Sequence, residues 1–417
     1  MTELRNPPPA SALDRQDERL QEHTGARGAL TAFLGRVRSG DLGALPVVVG
    51  LLIIWTIFYI LNPLFLSSDN LVNISLESCS VGVIALGIVC VLLVGEIDLS
   101  VGSVSGLSSA IVGVLFVQHH WSLPLTIVAA VVAGAVIGWI YSQMFNRFGM
   151  PSFVATLSGL LGYLGLQLYI LGQQGSINIP FNSGLVEFAQ LDFLPRPLAY
   201  VAAALVAGGV FASGFQIARA RHRAGLSGAS VRTLLVKSVV ILVVLEAAVW
   251  YLNRTRGVAW MVVLFALLVT VMNYALTRTR WGRTVFAVGG NEEAARRAGI
   301  NVRRTYTTVF VLCSTFAAIG GVLAAARLGS ATQSSGTGDV NLNAIAAAVI
   351  GGTSLFGGRG NAYSALLGIL VIESIASGLT LLNLSSSFRF MITGVVLAVA
   401  VAVDSLARKS RVSHGRA

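Results

Sequence analysis

Apolar segments of membrane-spanning length recur along nearly the whole chain. A helix needs about 17–25 apolar residues to cross a bilayer, and twelve segments reach or approach that length. They lie at residues 44–64, 70–94, 100–118, 122–145, 152–173, 197–217, 237–252, 258–277, 306–327, 341–356, 362–383 and 387–406. Because lipid offers no hydrogen-bond partner to an open backbone, the sequence predicts an all-α integral membrane protein, a polytopic helical bundle of about 10–12 spans. The segments 237–252 and 341–356 are short, so either is predicted to be tilted, broken or re-entrant.

The charge pattern gives an orientation. Only 11% of the residues are charged, against about 25% in soluble domains, which excludes a soluble enzyme. With the N-terminus in the cytoplasm, nearly every Lys and Arg falls on the inner side. The five that do not are Arg196, Arg254, Arg256, Arg327 and Arg389. Both termini are therefore predicted to be cytoplasmic, and the net charge of +11 indicates topology in a lipid membrane, with no nucleic-acid partner.

Three regions follow from this pattern. Residues 1–43 are polar, contain a run of three prolines and show no cleavable signal peptide, so we predict a disordered cytoplasmic tail. Residues 44–406 form the transmembrane domain, with a long cytoplasmic loop at 278–305. Residues 407–417 form a second cytoplasmic tail.

Two acidic residues, Glu96 and Asp98, interrupt the apolar sequence at 95–102, and no Lys or Arg occurs between Arg38 and Arg147. Carboxylates within a membrane are costly and usually face a bundle interior or a watery path. One interpretation is that Asp98 or Ser100 simply caps the next helix. The other is a broken helix near the membrane midplane that exposes polar groups to a translocation path. Further acids in the apolar segments are Glu77, Glu246 and Glu373, with Arg389 as a candidate partner.

The loop sequence 289–299 predicts a short helix that caps itself. Asn291 suits the N-cap, Glu292 and Glu293 suit the positive end of the helix dipole, Arg296 and Arg297 suit the negative end, and a glycine follows at 299. Such a helix either orders the loop surface or acts as a rigid lever presented to a cytoplasmic partner.

The chain has no nucleotide-binding loop of its own. Segment 352–358 has the glycine spacing of a phosphate loop, but Gly358 occupies the lysine position. Residues 351–358 are also interpreted as a tight glycine turn at a helix end. Cys79, Cys90 and Cys313 are isolated, and His119 and His120 suit a loop tip, so neither a metal site nor a cofactor is predicted.

Five sequence blocks together resemble the permease subunits of bacterial ABC sugar importers of the ribose, xylose and galactose type, over about residues 70–405. The blocks are Glu-Ile-Asp-Leu-Ser-Val-Gly-Ser (96–103), Pro-Ser-Phe-Val-Ala-Thr-Leu (151–157), Gly-Arg-Thr-Val-Phe-Ala-Val-Gly-Gly-Asn-Glu-Glu-Ala-Ala-Arg (282–296), Gly-Ile-Asn-Val (299–302) and Ile-Ala-Ala-Ala-Val-Ile-Gly-Gly-Thr-Ser-Leu-Phe-Gly-Gly (345–358). The resemblance implies a type II-like permease fold and a transport subunit that is not itself an enzyme. It also implies a second permease copy, a cytoplasmic ATPase dimer that uses ATP and Mg, an extracytoplasmic sugar-binding protein, and a place in the bacterial cytoplasmic membrane.

Within that family the chain is most similar to xylose permeases, with which it shares Glu96, its length and the extra region 218–252. This similarity implies D-xylose or a related pentose as cargo. Ribose, galactose or another small polar solute remains an alternative. Two other classes of protein also remain as alternatives. One is a proton-coupled transporter that uses Glu96, Asp98 and Glu373, and the other is a purely structural membrane scaffold. We assign the substrate pathway to Glu96, Asp98, Ser100, Asn343 and Thr353, and ATPase coupling to Asn291, Glu292, Glu293, Arg296 and Arg297. The chain departs from its relatives at Asn343, where an acid is common, and at Arg359.

Overall fold

A computed structural model describes residues 45–224, 230–385, 387–388, 390–396, 398–399 and 402. Both predicted tails, Arg389 and part of the segment 387–406 therefore lie outside the described residues. The helices are α1 (Leu45–Leu61), α2 (Ser68–Leu93), α3 (Val101–Val112), α4 (Leu123–Phe148), α5 (Ser152–Leu171), α6 (Gly184–Gln190), α7 (Arg196–Arg223), α8 (Val231–Leu252), α9 (Trp260–Arg278), α10 (Arg280–Gly290), α11 (Glu292–Arg297), α12 (Val302–Leu328), α13 (Val340–Ile350) and α14 (Tyr363–Leu381). Strands β1 (Ser176–Asn178) and β2 (Ser330–Thr332) pair antiparallel, with Ile177 opposite Ala331.

The helices confirm the predicted fold class. In the part of the chain that the structure describes, nine helices are long and apolar enough to cross a membrane. They are α2, α3 with its π-helical continuation Gly113–Gln118, α4, α5 with the turn that follows it, α7, α8, α9, α12 and α14. Helix α1 is apolar but has 17 residues. The short segment 237–252 belongs to a helix of 22 residues, because Ser230 caps it and moves its start to Val231.

The segment 341–356 is not a membrane-spanning helix. Its helical part, α13, has 11 residues, or about 16 Å at 1.5 Å per residue, against a hydrocarbon core of about 30 Å. The chain between β2 and α13 is irregular, and its carbonyl groups need partners. The buried amide of Gln167 on α5 donates to the carbonyls of Thr332, Gln333 and Ser335 at 3.0, 3.4 and 3.0 Å.

Helices α2 and α12 form the centre of a compact unit made of the described residues before Leu194 and after Val258. The spacing Gly134-x-x-x-Gly138 in the sequence predicts close packing of helices in lipid, and close contacts are made at these small residues. A Cβ at Gly138 would lie 2.4 Å from the carbonyl oxygen of Phe310 on α12, and one at Gly134 would lie 2.7 Å from that of Ser314. The predicted role of these glycines in close packing is confirmed.

Residues Leu194–Val258 form a second compact unit, in which α7 and α8 pack as a hairpin. The buried side chains of α7 are all alanines, namely Ala199, Ala203, Ala207 and Ala218. Most other apolar side chains of this hairpin are exposed, as expected of helices that face lipid. Near the end of α8 the guanidinium of Arg254 lies over the rings of Trp250 and Tyr251.

Candidate coupling and transport site

Helix α11 is held by its own caps. The Asn291 side chain accepts a hydrogen bond from the Ala294 amide at 2.9 Å. At the other end, Gly299 has a φ of +81°, and the Ile300 amide donates to the Ala295 carbonyl at 3.1 Å. These bonds satisfy helix-end groups locally. The predicted self-capped helix is confirmed.

Charges on α11 also pair within the helix. Arg296 and Arg297 are both exposed. Arg296 forms ion pairs with Glu292 and Glu293. The Tyr306 hydroxyl of α12 donates to Glu292 Oε2 at 3.2 Å. A groove of about 430 Å³ lies beside α11. Its lining residues are Phe145, Asn146, Glu292, Arg296, Ile300, Asn301, Val302, Arg303 and Tyr306.

The turn between α2 and α3, residues 94–100, contains both acidic residues of the predicted pathway. Asp98 is fully buried, and its Oδ1 accepts hydrogen bonds from the Ser100 amide at 2.8 Å and the Ser100 hydroxyl at 2.7 Å. Its Oδ2 meets no nitrogen or oxygen partner within the described residues, and the thiol of Cys313 on α12 lies near the carboxyl. Burial raises the pKa of the Asp98 carboxyl, and the Ser100 bonds lower it. Asp98 therefore closes the turn before α3, while Ser100, the N-cap residue, makes no side-chain cap bond.

Glu96 lies beside α11 and not midway through a span. Helix α2 has 26 residues and reaches about 39 Å, longer than the hydrocarbon core, so the turn that follows it lies at one end of a complete span. This favours the interpretation in which the acidic turn precedes the next helix over a break near the midplane. Glu96 is half-buried. Burial raises the pKa of its carboxyl, a hydrogen bond from Ser152 lowers it, and the nearby Glu292 raises it.

Glycines join this turn to α10 and to the segment after α13. The Gly358 amide donates to the Leu93 carbonyl at 2.8 Å. A Cβ at Gly289, near the end of α10, would lie 1.7 Å from that same carbonyl oxygen, and one at Gly357 would lie 2.9 Å from the Gly95 nitrogen. We call this contact of Gly95, Gly289, Gly357 and Gly358 the glycine junction. Only glycine permits three backbones to approach so closely.

The other predicted pathway residues lie on α13 and in the turn after it. Asn343 is half-buried, and its amide donates to Asp339 Oδ2 at 3.2 Å. Thr353 is 1% exposed and lies in the turn that ends α13, where its amide bonds to the Ala348 carbonyl at 3.0 Å. The predicted glycine turn at 351–358 is confirmed.

The turn 94–100 thus contains Glu96, Asp98 and Ser100, of which Glu96 lies near Glu292 of α11. Asn343 lies on α13, and Thr353 lies in the turn after it. Sequence reasoning missed the residues that hold these parts together, notably Thr156 and Asn341. The only signal was a polar side chain in an otherwise apolar segment. Of the other acids in apolar segments, Glu77 lies near Arg327, at the end of α12.

The long apolar helices of this structure define a polytopic membrane protein. Residues 70–401 match the protein family described as branched-chain amino acid transport system, permease component. The chain belongs to this family and is a permease subunit of the ABC sugar importer type, not an ATPase.

Curated relatives cover nearly the full length of the chain. The xylose transport system permease protein of Escherichia coli K12 is 34% identical over 83% of this chain and 87% of the relative. The ribose import permease protein of the same strain is 31% identical over 86% of this chain and 92% of the relative. A probable ABC transporter permease protein, also from that strain, is 33% identical over 91% of this chain and 93% of the relative. No solved structure matches the chain.

Proposed function

We propose that this protein is the membrane subunit of an ATP-driven importer of a neutral pentose, with D-xylose as the first candidate. Similarity to the xylose transport system permease over 83% of this chain carries this proposal. The ribose import permease is only slightly less similar. Because both named sugars are pentoses, the class of cargo is better supported than the individual sugar.

The proposed assembly contains two copies of this chain, two ATPase subunits and a sugar-binding protein on the opposite side of the membrane. Helix α11 contacts the ATPase. It suits that role because its caps and internal ion pairs make it a rigid unit, and because Glu292 connects it to α12 through Tyr306. Both chain termini lie on the ATPase side in this proposal, in accord with the positive-inside rule.

The proposed sugar path runs beside α13. Glu96 and Asn343 are the predicted pathway residues with exposed side-chain surface, whereas Asp98, Ser100 and Thr353 are buried and shape the wall. A neutral sugar needs only a few polar contacts along such a path, because tight binding slows release. Asp339, paired with Asn343, joins the proposed wall.

Uptake by proteoliposomes tests the function. The complex is reconstituted with ATP inside and the binding protein outside, and accumulation of labelled xylose, ribose and galactose is measured. We expect ATP-dependent uptake of xylose that exceeds uptake of the other two and is unaffected by an uncoupler. Uptake that needs no ATP and collapses with an uncoupler contradicts the ATP-driven mechanism. Faster ribose or galactose uptake contradicts only the sugar assignment.

The coupling role has its own test. Reversing the charges of α11 in the variant E292R/E293R/R296E/R297E places the wrong sign at both ends of the helix dipole. We expect weaker ATPase binding and lost sugar-stimulated ATP hydrolysis. The variant E292D/E293D/R296K/R297K keeps each sign and is the matched control. Equal ATPase binding and turnover in both variants would remove α11 from the coupling mechanism.

A further inference from the structure

Both backbone hydrogen-bonding groups of Leu99 are held by side chains from other helices. The Leu99 amide donates to Thr156 Oγ1 on α5 at 3.1 Å, and the Leu99 carbonyl accepts from Asn341 Nδ2 on α13 at 2.8 Å. Thr156 is fully buried, and its hydroxyl donates to the Ser152 carbonyl at 2.9 Å. One residue of the turn 94–100 therefore links α5 to α13.

The other side of the same turn is in contact with α10. Leu93 and Gly95 lie in the glycine junction, against Gly289 and against the segment that follows α13. Helix α13 and the segment after it therefore hold the turn on both sides. Asn341, near the start of α13, bonds to Leu99 in the turn, and Gly358, in the segment after α13, bonds to Leu93, the last residue of α2.

This arrangement connects α13 to α10 through the turn and the last residue of α2. A displacement of α10 and α11 bears on Leu93 through Gly289, where the backbones are in direct contact and no flexible side chain lies between them. The turn, bonded at Leu99, transfers that displacement to both α5 and α13. Closely packed contacts of this kind transmit small shifts because they deform little.

We propose that Thr156 and Asn341 are positioning residues that clamp the α2–α3 turn between α5 and α13, so that movement of α11 reaches the sugar path. The coupling part rests on the proposed function, whereas the clamp itself does not. Neither side chain contacts the sugar. Their contribution is to make α13 follow the coupling helix.

The experiment compares T156V and N341L, which remove the hydrogen-bonding groups at similar volume, with T156S, which keeps the hydroxyl. The matched control is T270V, because Thr270 is exposed on α9 and bonds only to its own helix, at Ala266. Hydrogen exchange of residues 94–100 is measured on the permease alone. Sugar import and ATP hydrolysis are measured on the reconstituted complex, and the ratio of the two gives the coupling.

We expect T156V and N341L to accelerate exchange in 94–100 and to lower sugar imported per ATP hydrolysed at least tenfold. T156S and T270V should match the wild type in both measurements. Unchanged exchange in T156V and N341L overturns the clamp. Faster exchange with an unchanged coupling ratio, or with import and hydrolysis lost together, overturns the transmission role. Failure of the wild-type complex to import sugar contradicts the proposed function, while the exchange result still decides the clamp.

Discussion

The α2–α3 turn and helix α11 are both short polar segments beside α10, but they are held in opposite ways. The backbone of α11 is satisfied by its own caps at Asn291 and Gly299. The turn is held from outside, by Thr156, Asn341 and the glycine junction. Local bonds make α11 a rigid surface unit, whereas bonds from several helices make the turn a connection among them.

This difference predicts how far the effect of a substitution spreads. A change in the turn or its contacts should affect several helices and therefore the stability of the bundle. A change in α11 should affect one helix and whatever that helix touches. Three comparisons test this contrast, in order of decreasing expected effect.

The largest effect is expected for G289A. Its Cβ would lie 1.7 Å from the Leu93 carbonyl oxygen and 2.7 Å from the Gly358 nitrogen, and overpacking of this kind costs about 1–3 kcal/mol or more. We expect a lower thermal unfolding midpoint in detergent and a large loss of sugar import. The neighbouring G290A is the control, since a Cβ there meets nothing within 4 Å. Equal midpoints for the two variants would show that the glycine junction tolerates side chains.

An intermediate effect is expected for D98A. The substitution leaves the Ser100 amide and hydroxyl without their acceptor in a fully buried site, which costs about 1–3 kcal/mol. D98N keeps an oxygen in the Oδ1 position and should retain most of the stability. Thermal unfolding of the purified protein measures both. A D98N variant as unstable as D98A would mean that the turn requires the carboxylate itself.

The smallest effect on the bundle is expected for N291A. Loss of an N-cap costs about 1 kcal/mol, and here the cost falls on six residues of α11. The unfolding midpoint should barely move, while ATPase association weakens because the helix frays. N291S restores a capping oxygen and should restore association. A midpoint as low as that of D98A would contradict the view of α11 as a locally held unit.

The same contrast explains what the sequence could predict. The caps of α11 and the spacing of Gly134 and Gly138 involve residues near one another in the chain, so pattern alone predicted a capped helix and a closely packed one, but not the helix that the glycines contact. The Leu99 contacts join residues 57 and 242 positions apart, and no periodicity encodes such a pairing. The sequence left two interpretations of the acidic pair open, and only the length of α2, enough to complete a span before the turn begins, favours one of them.

The glycine junction has a consequence for the choice of cargo. Its contacts are made by main-chain atoms, which are chemically the same whatever residues surround them. Such a contact can transmit a movement, but it does not distinguish one arrangement of sugar hydroxyl groups from another. Evolution toward a new sugar can therefore leave the junction untouched and act on side chains such as Asn343, so that one drive mechanism serves many substrates.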